Sequence, residues 1–319
     1  CTVSLFFSGL EFAQQMRETW PGLILGLPIA GILIIWLHRK SGAAEKFSHA
    51  LVLDEIHSPQ ATLPISMAPL TFLGTLLTQL CGGSAGREGA AVQMTASISD
   101  QFTRWLRLTP VERQSLLVTA IGSSFGAAVG TPIAGIIFGI EVTRKKLPWY
   151  CLIENAIAAG AAFFVGRFLH VSHMHLPTFP FTLKIDTLWI SLVGGIIFGL
   201  TARFFMSITH WLEKFLNQKI QNSYARIFWG GAIISTIVLM EGSMRFSGFG
   251  ISTILSSLAH PLSWNIPVWK ALLTILTLAV GFKGGEFMPL VFIGATLGSA
   301  LSGLEPPVAM DSLQSLPYL

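Results

Sequence analysis

The sequence predicts an all-α protein that crosses a membrane several times, and three observations carry that prediction. Apolar residues make up 52% of the 319 positions and charged residues only 11%, where a soluble domain carries roughly 25%. Mean hydropathy is +0.64. The apolar residues gather into separate blocks, and the alternating segments of about 10 residues that a membrane barrel needs are not visible. The lipid bilayer is therefore the first expected partner. A net charge of +4 reads as loop charge on the cytoplasmic side rather than as a nucleic-acid surface. Cys1, Cys81 and Cys151 form no CxxC pair and point to neither a disulfide framework nor a metal site.

Each block has its own justification. Cys1 to Gln15 reads as the tail of a membrane helix, with Glu18 and Trp20 marking an interface. Pro21 to Leu37 is about long enough to span, and His38-Arg39-Lys40 marks its cytoplasmic end. Ser41 to Gln60 is polar around a half-apolar piece, Ala50 to Ile56. Leu63 to Leu80 is apolar, and a helix is expected from Glu88 to about Trp105. Arg104, Arg107 and Arg113 are expected in a connecting loop. Val118 to Val142 is apolar but broken at Thr131-Pro132, with Gly122, Gly126, Gly130, Gly135 and Gly139 suited to close helix packing. Arg144-Lys145-Lys146 gives a second cytoplasmic mark. Cys151 to Leu169 is a span, and Leu188 to Ile208 a long helix running on towards Phe215. Ile227 to Met240, Val268 to Val280 and Leu290 to Leu301 are apolar, while Glu241 to Ser256 is rich in glycine and serine. The chain opens on Cys1 without a signal peptide and stops soon after a helix, so a fragment of a longer protein is expected.

Two glycine turns organise these blocks. Gly82-Gly83-Ser84-Ala85-Gly86-Arg87-Glu88-Gly89 opens one apolar helix, and Gly281-Phe282-Lys283-Gly284-Gly285-Glu286-Phe287-Met288-Pro289 opens another. Glycines let backbone N–H groups converge, and a helix start aims its positive dipole end at the same place, which makes an anion site. Glu88 is itself an anion and could fill such a site as a tethered plug until protonated. The first stretch alone reads equally well as a capped helix entry with an acidic first turn. Broken apolar segments in matching places of two halves point to a transporter's midplane site. The halves expected are 1–185 and 186–319, the second incomplete.

At these residues the sequence resembles the CLC family of anion channels and proton-coupled anion antiporters. Gly86-Arg87-Glu88-Gly89-Ala90 is similar to the family's G[KR]EGP element, with Ala90 for proline, and Gly285-Glu286-Phe287-Met288-Pro289 fits its GxFxP element. Thr131-Pro132-Ile133-Ala134-Gly135 and Ile140-Glu141 match its next inner helices. The resemblance implies an inverted repeat of broken, tilted helices, a homodimer with one pore per subunit, and no cofactor. It also implies that Glu88 is the gating, proton-coupling glutamate and that the amides of Phe287 and Met288 hold the central anion. The family's anion-binding serine loop is absent, with Ser48 as a weak stand-in and Phe47 as a candidate for the inner pore mouth. Val142 stands where chloride antiporters carry an internal glutamate. These departures, with Glu286, resemble the bacterial fluoride-exporting branch, while Met288 stands where that branch often has threonine.

The expected activity is fluoride/proton antiport in a cell membrane, the bacterial inner membrane by that resemblance. A chloride channel, a chloride/proton antiporter and a non-transporting truncated protein are the alternatives. Gly86, Arg87 and Gly89 join the candidate anion site, although Arg87 also reads as an anchor of the turn. Glu286 reads either as a proton-path carboxylate or as a partner of Lys283 or Arg87. No Ser-His-Asp or HExxH constellation points to an enzyme, and His170, His173 and His175 match no strong metal spacing.

Overall fold

The computed structural model describes residues 2–42, 49–58, 60–143, 148–171, 173 and 185–303. The described residues form helices throughout, joined by turns. The first group is α1 (Thr2–Thr19), a 3₁₀ segment (Pro21–Gly26), α2 (Leu27–Lys40), α3 (His49–His57), α4 (Met67–Leu80) and α5 (Glu88–Trp105). Next come α6 (Pro110–Val129), α7 (Pro132–Thr143) and α8 (Trp149–Phe168). The last group is α9 (Ile185–Lys219), α10 (Ser223–Glu241), α11 (Ile251–Ala259), α12 (Asn265–Ala279) and α13 (Phe287–Ser302). Pro21–Lys40, Trp149–Phe168, Leu188–Lys219 and Ser223–Glu241 are each long and apolar enough to cross a membrane. Helices α4, α7, α12 and α13 are apolar but shorter, as expected where broken segments line a protein interior rather than lipid.

The two outer groups pack alike. Helix α1 touches α4 as α9 touches α12, α4 touches α5 as α12 touches α13, and α3 touches α5 as α11 touches α13. Helices α2 and α10 pack on each other, and α5 meets α13. A shared core of Phe6, Ile34, Ile227, Phe246, Phe282 and Phe292 joins the groups. Between them, α6, α7 and α8 pack through glycine. A Cβ on Gly135 would stand 2.8 Å from Gly126 Cα, and one on Gly139 would stand 3.1 Å from Gly122 Cα. Only glycine permits that approach.

One element reading is corrected, and two blocks are sharpened. Arg113 is not in a loop. Thr109 caps α6 through a capping box with Glu112, so the helix starts at Pro110 and Arg113 lies inside it, buried. Its guanidinium donates to both Asp100 oxygens at 2.7 Å, to Glu55 Oε2 at 3.1 Å and to Ala61 O at 2.7 Å. Helix α4 starts at Met67, inside the apolar block that opens at Leu63. Leu63 donates its amide to Asp100 at 2.7 Å, and Pro64 has none to give. The glycine- and serine-rich stretch contains α11, whose Ser256 and Ser257 hydroxyls donate to carbonyls of their own helix and so cost it little.

Candidate anion site at two facing helix starts

Gly86 and Gly285 form an antiparallel bridge, with Gly86 N donating to Gly285 O at 2.6 Å and Gly285 N to Gly86 O at 2.8 Å. That pair of bonds ties the two glycine turns together directly in front of α5 and α13. The reach is reciprocal. A Cβ on Gly86 would stand 3.2 Å from Met288 N, and one on Gly285 would stand 2.9 Å from Gly89 N. Each turn therefore presents bare backbone to the first amides of the opposite helix. Those amides have no acceptor within their own helix, and the positive ends of two helix dipoles meet there.

Glu88, the first residue of α5, is 3% exposed. Its Oε2 accepts the amide of Arg87 at 3.2 Å, and Arg87 Nε stands 3.5 Å from its Oε1, an ion-pair contact rather than a hydrogen bond. The carboxylate thus curls back onto the start of its own helix. Arg87, the N-cap, is fixed by aromatic faces. Its guanidinium lies 3.8 Å from the Phe7 ring centroid and 5.2 Å from that of Phe249. It pairs with Glu88 rather than with Glu286.

Glu286 is the N-cap of α13, one place earlier in its turn than Glu88 is in the first, and half-buried. It lies within electrostatic reach of His210 and Glu213 on α9, a pair that sequence reading did not single out. Met288 is buried, whereas the Phe287 ring is 37% exposed and meets the Phe125 ring edge-on at 5.1 Å. Phe125 in turn stacks on Phe138 at 4.0 Å. The structure therefore brings Gly86, Arg87, Glu88, Gly89, Phe287 and Met288 together, with Glu286 at the edge. Ser48 and Phe47 lie outside the described residues. So does His175, and among the described residues no cluster of acids, histidines and cysteines could hold a metal ion.

Sequence reading also missed the buried polar groups behind the first turn. Gln79 donates to Ala85 O at 2.6 Å, Arg17 donates to Gln79 O at 2.5 Å, and Ser84 pairs with Thr274 at 2.8 Å. Lys270, a lone charge in an otherwise apolar helix, was the available signal.

The profile of the voltage gated chloride channel family matches residues 26–316. The chloride/fluoride channel protein of Pseudomonas syringae pv. tomato is 36% identical over 312 residues, covering 94% of this chain and 68% of that protein. The H(+)/Cl(-) exchange transporter ClcA of Klebsiella pneumoniae is 28% identical over 262 residues, covering 75% of this chain and 53% of that protein, so the chain spans about half of that relative's length. The crystal structure of a CLC-type fluoride/proton antiporter superposes with a TM-score of 0.90 at 31% identity, over 95% of this chain and 78% of the other.

Proposed function

This chain belongs to the voltage gated chloride channel family, one of membrane transport proteins rather than enzymes, and from that premise we propose that it exchanges fluoride for protons. The observation that carries the reading is the buried Glu88 carboxylate held at one of two facing helix starts. In this reading, amides of Phe287, Met288 and Gly89 replace the hydration of a small anion. Burial without such donors would be prohibitive. Ionised Glu88 competes with the anion for the positive helix start. A protonated Glu88 loses that hold, and the anion enters as the proton leaves with the side chain. Glu286, beside His210 and Glu213, passes the proton on the other side of the bridge.

Fluoride is favoured over chloride by Val142 and Glu286 and by the relatives whose names include fluoride. The matched packing of α1–α5 and α9–α13 supports a repeat whose second half opens with α9, close to the expected boundary of 185 and 186; the homodimer rests on the family resemblance alone. His38-Arg39-Lys40 and Lys219 support a cytoplasmic end for α2 and for α9, in a bacterial inner membrane on this reading.

The test is efflux of fluoride and of chloride from liposomes holding the purified protein, with external pH recorded and the membrane potential clamped. Fluoride efflux with proton uptake is expected, with chloride efflux at least tenfold slower. Chloride efflux of equal size would overturn fluoride selectivity. Fluoride efflux without proton movement would overturn exchange.

A further inference from the structure

Lys270 is completely buried in α12, and no carboxylate pairs with it among the described residues. Its neighbours make the placement costly. Arg17, another buried cation, acts on it, and the Phe292 ring, 5.1 Å from Nζ, offsets only part of that cost. An apolar residue would fill the same space at lower cost, so the role of the ammonium lies in the bonds it makes. They go to two backbone carbonyls, Phe246 O at 3.0 Å and Gly248 O at 2.6 Å.

That loop grips the first glycine turn at two points. Gly248 N donates to Gly83 O at 3.0 Å, and the next residue, Phe249, lays its ring against Arg87, the N-cap of α5. Gly248 has φ 61°, and a Cβ there would stand 2.8 Å from Arg17 NH2 and 2.9 Å from Gln79 Oε1. The loop therefore reaches the turn only as bare backbone, through a narrow gap between Arg17 and Gln79. One and two helical turns further along α12, Thr274 and Thr277 bond Ser84 of the same turn.

We propose that Lys270 is a positioning residue for the gate, holding the 246–249 loop against Gly83 and Arg87 and so fixing where the Glu88 carboxylate sits. Its influence on proton coupling rests on the exchange reading above, whereas its hold on the turn does not. The matching position ahead of the first turn carries no cation: Thr71, which precedes Gly86 by the same number of residues as Lys270 precedes Gly285, donates to Gln93 at 3.5 Å.

The experiment compares wild type with Lys270→Met and Lys270→Arg in lipid nanodiscs by amide hydrogen exchange, and in liposomes by the proton-to-fluoride ratio. Lys270→Met should speed exchange at residues 82–89 about tenfold and leave 281–284 and 286–288 unchanged, Gly285 standing apart because its amide bonds Gly86 O. It should also lower the coupling ratio by half or more. Lys270→Arg, which keeps the donors, should restore most of both, and Lys270→Met added to Glu88→Gln should change coupling no further. Lys270→Gln, able to serve one carbonyl, should be intermediate and covers the case in which Lys270→Met does not assemble. Unchanged exchange at 82–89, or equal acceleration at both turns, would overturn the inference. A selective change at 82–89 in a protein whose wild type moves no protons would uphold the positioning role and remove the exchange reading.

Discussion

The two glycine turns share a path and differ in surroundings. Both run from a left-handed glycine, Gly82 or Gly281, through a bridge glycine into an apolar helix. The first is wrapped in buried polar groups from α1, α4 and α12, namely Arg17, Gln79, Thr274 and Thr277. The second has buried hydrocarbon on one side, while Gly281 and Lys283 line a small cleft with His38, Ser223 and Arg226 on the other. Phe282 is buried near Gly31 and Ile227, and Val280 packs onto Gly230, where a Cβ would meet it at 2.7 Å. The acids differ in step with this. Glu88 occupies the first helical position and is sealed, while Glu286 occupies the cap and is half-open. Glycine thus sets the shape of both turns, and the neighbours decide which of them can hold a charge out of water.

The largest effect should come from the acids themselves. Glu88→Gln keeps the size of the side chain and removes its charge, so proton coupling should vanish while fluoride still moves. Glu286→Gln should slow proton movement without abolishing it, because His210 and Glu213 remain nearby. Proton-to-fluoride ratios in liposomes decide this, and equal losses in the two variants would erase the functional distinction between the turns. The buried Arg113 knot provides a control of opposite character. Asp100→Ala leaves the guanidinium without the acceptor it holds at 2.7 Å, which should lower stability by about 3–5 kcal/mol. Thermal unfolding in detergent should show that loss, with the coupling ratio of the surviving folded protein unchanged.

A middle-sized effect tests the shared backbone. Alanine at Gly285 drives a methyl to 2.9 Å from Gly89 N, an atom of a helix that cannot swing aside, whereas alanine at Gly86 meets Gly285 O at 3.0 Å and Met288 N at 3.2 Å. Overpacking of this kind costs about 1–3 kcal/mol. Gly285→Ala should melt lower than Gly86→Ala, and the reverse order would show that the second turn gives way more easily than the first.

What the sequence made legible was local. The glycine turns, the start of α5 at Glu88 and the break at Thr131-Pro132 all follow from residue types that act within a few positions of themselves. What it concealed depended on distant partners. Arg113 looked like loop charge because Glu55 lies 58 residues before it. Ser84 looked like a turn serine because Thr274 lies 190 residues after it. Lys270 was visible as an odd charge, but the carbonyls that explain it carry no mark in the side-chain sequence.

The smallest prediction bears on that hidden layer and returns to the two turns. Thr75 precedes Gly86 by the same number of residues as Thr274 precedes Gly285. Thr274 reaches across to the Ser84 hydroxyl of the first turn at 2.8 Å. The matching position of the second turn is Lys283, whose stem packs against Gly74, and the Thr75 hydroxyl is buried without a hydrogen-bond partner among the described residues. A buried hydroxyl that makes no bond contributes nothing to offset its desolvation, whereas losing one member of a made pair strands the other. Thr75→Val, equal in shape and without the hydroxyl, should therefore leave stability unchanged or slightly raised. Thr274→Val should cost about 1 kcal/mol, partly relieved because Ser84 can turn to another acceptor. Equal melting shifts for the two valine variants would mean that the Thr274–Ser84 bond behind the first turn contributes no more than the unbonded Thr75 hydroxyl.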